Sequence, residues 1–282
     1  MAANPAYNRL EQDARSGYAA FREPGNTTYP QQSYGQPGAP VGQDPLEQMY
    51  NQPSASPVDT GRVTMDDVIM KTLSLFAIVL VTAAAGWMVA ASNPALGFML
   101  WMGGMIGTLV LGLVIAFKKT LSVPLIIGYA ALEGLFVGAV SQFFEMRYGG
   151  IVSQAVLATL STFAGMFAAY KFGLIKVTAK FRRIVTMMIF GYVIFAIVNF
   201  IFAMVTDTPF GFGGTGTVGI LISLFAVGLA SVSLALDFDS IDQAIATGAP
   251  QKYSWLLAHG LIVTLVWLYI EFLRLIARFR EN

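Results

Sequence analysis

The sequence predicts an all-α integral membrane protein: a bundle of seven transmembrane helices preceded by a disordered N-terminal tail. Hydrophobic residues make up 56% of the 282-residue chain and charged residues 12%, about half the charge that dresses a soluble domain. The apolar residues fall into runs of roughly 20, enough to cross about 30 Å of hydrocarbon as helix. The first sixty residues, by contrast, are a mixture of Pro, Gly, Gln, Tyr and Ser with no apolar run.

Several classes of function are excluded at once. A net charge of +1 offers no basic face for a nucleic acid. With no cysteine and a single histidine, His259, thiol catalysis, zinc–thiolate sites and multi-histidine metal centres are all ruled out. No nucleophile–base constellation stands out, and the Gly-x-Gly-Asp pattern of paired-aspartate intramembrane proteases is absent. The chain reads as a non-enzyme with no cofactor and no resident metal.

Residues 1–60 bury too little apolar surface to offset the entropy of ordering them, and read as a cytoplasmic tail ahead of a membrane domain over 61–282. No apolar signal-peptide core opens the chain, so the first span is expected to act as its own insertion signal. Order is expected from Thr64, where Thr64-Met65-Asp66-Asp67 has the form of a capping box. The spans follow at 73–91, 97–117, 123–144, 152–170, 184–205, 218–245 and 253–277. The first stops at Ser92-Asn93-Pro94.

The loops after helices two and four carry Lys118, Lys119, Lys171, Lys176, Lys180, Arg182 and Arg183, whereas those after helices one, three and five carry only Arg147. Basic loops stay inside, which places the N-terminus in the cytoplasm of a multi-pass cell-membrane protein. Seven spans then carry Arg274, Arg278 and Arg280 to the outside, against that rule. The length of the last segment favours a full span over a re-entrant one.

Gly211-Phe212-Gly213-Gly214-Thr215-Gly216 matches a dinucleotide fingerprint, but without the preceding strand that motif requires it is a flexible loop. Gly103 with Gly107, and Gly134 with Gly138, have the small-xxx-small spacing that lets helix backbones approach closely. Asn199 reads as an interhelical hydrogen-bond donor.

The acids inside spans carry the functional signal, because an intramembrane carboxylate normally faces a partner or a watered path. Glu133 reads either as a neutral acid of the packed bundle or as an acid lining an ion path. On helix six, Asp239 and Asp242 share a face while Asp237 points nearly opposite. On helix seven, Glu271 shares a face with Arg274. Two readings stand for it, an intrahelical pair or a contact with a helix-six aspartate across the interface. Two close carboxylates cannot both ionise cheaply and would share a proton. His259, near the start of helix seven, is an interfacial polar residue or a modulator.

LEGLFVGA in helix three, LDFDSID in helix six and the ending VTLVWLYIEFLRLIARF resemble the Bax inhibitor family of transmembrane Bax inhibitor motif proteins, in a bacterial branch, over residues 64–280. The resemblance implies that the last helix sits centrally. It also implies a pH-sensitive cation leak channel, with calcium the first candidate ion, in which acids on helices six and seven share a proton to hold the pore shut. Those positions fall on Asp239 and Glu271, with Asp237 as substitute. Two departures are visible: glutamate stands where the family carries aspartate on helix seven, and the two acids are further apart in sequence. The other reading, of a different class, is a membrane interaction protein that modulates a membrane protease or stress-response partner, with the tail as docking element.

Overall fold

Each expected span is a helix in the computed structural model of the chain, which describes residues 61–118, 120–208 and 210–282. The tail expected over residues 1–60 lies outside the described residues. The helices are α1 (Met65–Ser92), α2 (Pro94–Phe117), α3 (Val123–Arg147), α4 (Ile151–Lys171), α5 (Ala179–Thr206), α6 (Thr217–Ala246) and α7 (Tyr253–Glu281). All seven are long and apolar enough to cross a membrane. Helices satisfy their own backbone groups, which hydrocarbon cannot do for them. No strand occurs among the described residues, only a lone antiparallel bridge between Arg62 and Pro250.

The helix ends follow local chemistry. At α1 the Thr64 hydroxyl accepts from the Asp67 amide at 3.1 Å, so the helix begins at the cap, well before the apolar run that marked it in sequence. Its first turns bury Val68 with Val63 and Ile241. Asn93 ends α1 and caps α2, its Oδ1 accepting from the amides of Ala95 and Leu96, with Pro94 where a missing N–H costs nothing. Thr178 caps α5 through the Phe181 amide. Lys180, Arg182 and Arg183 therefore lie on the first turn of α5, not in a loop.

Helix α7 is the centre of the bundle, with half of its span buried. Through Tyr269, Leu273 and Ala277 it packs on Val137, Val140 and Phe144 of α3 and on Ile151 and Ala155 of α4. Leu261, Leu268 and Leu275 meet Val227, Ala230, Leu234 and Phe238 of α6. Ala258 and Ile262 meet Leu75 and Val79 of α1 together with Ile126 and Ala130 of α3. The 29 residues of α7 form one continuous helix, so the last segment crosses the whole bundle and the re-entrant course is not taken. The excess of arginine at its far end has a structural explanation. Arg278 is 4% exposed and donates to the carbonyls of Gly219 and Phe210 and to Ser223. Arg280 donates to the carbonyls of Tyr148 and Gly149.

The glycine spacings do different work in the two helices. A methyl group on Gly134 would run into the Thr82 hydroxyl and the Val79 carbonyl of α1, and one on Gly138 into the Ala83 carbonyl and the Trp87 amide. These two glycines let α1 and α3 touch backbone to backbone. In α2, Gly107 meets Leu132 and Gly104 meets Phe136, while nothing lies near Gly103; the contact pair is Gly104 and Gly107, one residue off the expected register. Helix α5 is the outlier of the bundle: its only buried residue is Val185, and its backbone packs against α6 alone.

Candidate functional site

The intramembrane acids occupy three levels along α7. At the end where α6 turns into α7, Asp239 pairs with Arg182 of α5 and accepts from the Gln243 side chain at 3.0 Å. Next to it, Tyr170 donates to Asp242 at 2.8 Å. Both aspartates line a polar recess of about 350 Å³ with Lys171 and Lys176. Arg182 reaches this site because the Thr178 cap starts α5 early enough to place the guanidinium on a helical first turn.

The middle level holds Asp237 and Glu133. Two residues from Asp239 and so on the other side of α6, Asp237 lies beside Thr264 and near the α carbon of Gly260 on α7. Its Oδ2 is buried with no hydrogen-bond partner among the described residues. Glu133 of α3 is 4% exposed. Its Oε1 accepts from the Tyr129 hydroxyl at 3.0 Å, and its Oε2 is likewise buried without a partner. The Tyr129 ring also packs edge-on against His259, centroids 4.5 Å apart, so Tyr129 links Glu133 to α7.

Glu271 forms the third level, 2% exposed. Its Oε1 accepts from the Tyr192 hydroxyl of α5 at 2.7 Å, the Trp267 indole at 3.2 Å and Arg274 Nη1 at 3.1 Å. The Tyr192 ring stacks on Trp267, centroids 5.5 Å apart.

The expected pairing of Asp239 with Glu271 is not formed, and the reason is depth. The two helices are antiparallel across a short turn. Asp239 lies seven residues before the end of α6, about 10 Å in, whereas Glu271 lies eighteen residues into α7, about 27 Å from that same turn. Each acid takes its own arginine instead. Asp237, the substitute, faces α7 but lies level with Gly260 and Thr264, seven residues and about 10 Å short of Glu271. Arg274 is the intrahelical partner of Glu271.

Two polar residues depart from the expectation. Asn199, expected to donate across helices, makes no interhelical bond among the described residues. It pins the α5–α6 loop, accepting from the Phe212 amide at 2.6 Å and donating to the Phe210 carbonyl at 3.2 Å. That loop turns on Gly211, Gly213 and Gly214, all at positive φ, and no strand precedes it. Arg278 was read only as a misplaced charge. The signal that it belonged to the interior was its spacing: Glu271, Arg274 and Arg278 fall on one stripe of the helix. Among the described residues, no group of three His, Cys, Asp or Glu is placed to hold a metal ion.

A family model described as Bax inhibitor 1 like matches residues 4–281. The match takes in residues 4–60, which the resemblance over 64–280 left out. No curated protein sequence matches the chain.

Proposed function

The chain belongs to the Bax inhibitor 1 like family, and on that premise we propose that it is a pH-sensitive cation leak channel of the cell membrane, with calcium as the first candidate ion. One observation carries the reading. Glu133 and Asp237, both enclosed beside the central helix, each keep one buried carboxylate oxygen that no group of the described residues satisfies. Ionising either acid would leave a charge without a counter-charge inside the bundle, which calls in water or a cation. Oxygen donors of this kind suit a hard cation. The path runs along α7, from the recess at Asp239 and Asp242 past Gly260 and Thr264 to the level of Glu271.

In this reading Asp237 takes the helix-six gating role. The two acids first paired, Asp239 and Glu271, act separately as locks at the two ends, each tying α5 to the bundle through Arg182 or Tyr192. Flux rises with pH as the middle acids ionise. The basic residues Lys118, Lys171, Lys176 and Arg182 gather at the end where α1 starts, which supports a cytoplasmic N-terminus.

The test is calcium entry into dye-loaded proteoliposomes as pH is stepped through neutrality. Wild type is compared with Asp237→Asn, Glu133→Gln, Asp239→Asn and Glu271→Gln. The reading requires pH-dependent flux that loses its pH dependence in Asp237→Asn or Glu133→Gln. Folded protein with no flux in any variant would sink it.

The second reading, an interaction protein acting on a membrane protease, draws on a different observation. Residues 61–63 are strapped to the α6–α7 turn: the Val63 amide donates to the Ala249 carbonyl at 2.8 Å, and the Gln251 amide to the Gly61 carbonyl at 2.7 Å. A partner holding the tail would thereby pull on the α6–α7 hairpin. Pull-downs with and without residues 1–60 separate the two readings.

A further inference from the structure

Between α5 and α6 the bundle opens into a cavity of about 500 Å³, within the size range of pockets that enclose a small organic ligand. Met188, Gly191 and Tyr192 form one wall, and Val218, Leu221 and Phe225 lie opposite. Apart from the Tyr192 hydroxyl, which is spent on Glu271, the side chains of these residues offer nothing to hold water. Both walls belong to membrane-spanning helices, so the medium that reaches the cavity is the bilayer.

A cation stands next to its Tyr192 wall. Arg274 lies beside Tyr192, and its side chain is 44% exposed although its counter-ion Glu271 is almost fully enclosed. Nη1 is engaged by Glu271 and the guanidinium also meets the Tyr192 side chain, which leaves the remaining N–H groups of its five-donor fork for a further acceptor. Helix α7 has 29 residues, hence a length of about 43 Å, longer than a hydrocarbon layer of roughly 30 Å. Arg274 is seven residues from the end, about 10 Å, a distance over which a guanidinium snorkels towards the interface.

From this geometry we infer that the α5–α6 cleft is a lipid site. It receives one acyl chain of an anionic phospholipid, whose phosphate is held by the free N–H groups of Arg274. An apolar cleft open to hydrocarbon takes the chain, and an incompletely neutralised guanidinium snorkelling towards the interface selects the headgroup. The inference does not rest on the leak reading, since its readout is lipid contact and not ion flux.

The experiment uses Trp267, stacked on the cavity-lining Tyr192, as reporter. The full chain with Trp87, Trp101 and Trp255 replaced by Phe is reconstituted into bilayers. Acyl-brominated phosphatidylglycerol or acyl-brominated phosphatidylcholine then replaces a rising fraction of the lipid, and Trp267 fluorescence is read. The expected result is an apparent affinity about fivefold higher for the anionic lipid. Gly191→Leu should weaken quenching by both lipids; a Cβ at Gly191 meets nothing within 4 Å, so the new side chain starts from open space and grows into the cleft. Arg274→Gln should keep the quenching and lose the headgroup preference. Equal quenching by both lipids in the wild-type background, or quenching untouched by Gly191→Leu, overturns the site. A preference that survives Arg274→Gln overturns the role given to the guanidinium. If Arg274→Gln does not fold, the wild-type comparison and Gly191→Leu still decide the matter.

Discussion

Removing one hydroxyl from Tyr192 is a sharp test of how α5 is held. Helix α5 buries little and packs its backbone on α6 alone, so its polar ties to the rest of the bundle, Arg182 to Asp239 and Tyr192 to Glu271, matter more than such contacts usually do. Tyr192→Phe keeps the ring that stacks on Trp267 and deletes a 2.7 Å bond to Glu271. A hydrogen bond to a charged group contributes about 1.5–3 kcal/mol in water-soluble proteins. Glu271 retains Trp267 and Arg274 as donors, so no orphaned acceptor adds to the loss, and polar contacts between membrane helices average only about 0.6 kcal/mol. A loss of about 1 kcal/mol lies between these limits. If α5 must loosen for the leak to open, that shifts the open population about fivefold. Tyr192→Phe should therefore raise calcium flux severalfold at fixed pH, with unfolding in mixed micelles shifted only slightly. Unchanged flux in a normally folded variant would refute the idea that this bond helps to hold the closed state.

Other predictions concern the frame around the site. Gly138→Ala forces a methyl into the Ala83 carbonyl and should cost about 1–3 kcal/mol or more, whereas Gly103→Ala, with open space around it, should be neutral or slightly stabilising; detergent-denaturation midpoints for the two distinguish them. Arg278→Met strips the Gly219 and Phe210 carbonyls of their buried donor and should cost about 3 kcal/mol. Lysine should not restore that loss, because three acceptors in different directions need a fork and not a point charge, and the same denaturation assay reads both. Asp239→Asn should cost under about 1 kcal/mol, since its pair with Arg182 is partly exposed and screened. A stability loss well above that, insensitive to salt, would show that the pair is sequestered.

The number, order and approximate span of the helices were legible because each is an apolar run closed by a cap or a proline, as at Asn93-Pro94. The cap of α1 at Thr64 was legible too, but the start of α5 was not, since Arg182 sits on a polar-looking first turn whose pairing depends on α6. The central place of α7 came from resemblance alone. The register of the acids was half legible. Helical geometry separates Asp237 from Asp239, and the structure sends them to different neighbours, one towards α7 and the other to Arg182. Which acids meet across an interface depends on depth, and the 31 residues between Asp239 and Glu271 conceal an uninterrupted α7 that carries Glu271 far beyond the level of Asp239. Asn199, expected to bond across helices, and Arg278, given no partner, were not legible because the groups they bind, the Phe210–Phe212 backbone and Gly219, are brought to them by a loop whose path the sequence does not state.

The central claim is that ionising the middle acids opens a watered path beside α7, and thiol labelling tests it most directly. The chain has no cysteine, so Thr264→Cys places a single reporter at a position 8% exposed and next to Asp237. Labelling by a membrane-impermeant cationic thiol reagent, added to both sides, is measured against an exposed control, Gly149→Cys, which cancels the intrinsic pH dependence of thiol reactivity. The account predicts that the ratio rises as pH passes through the range where flux rises, and that Asp237→Asn removes the rise. A ratio that stays flat while flux changes would contradict it, because the ions would then be crossing elsewhere.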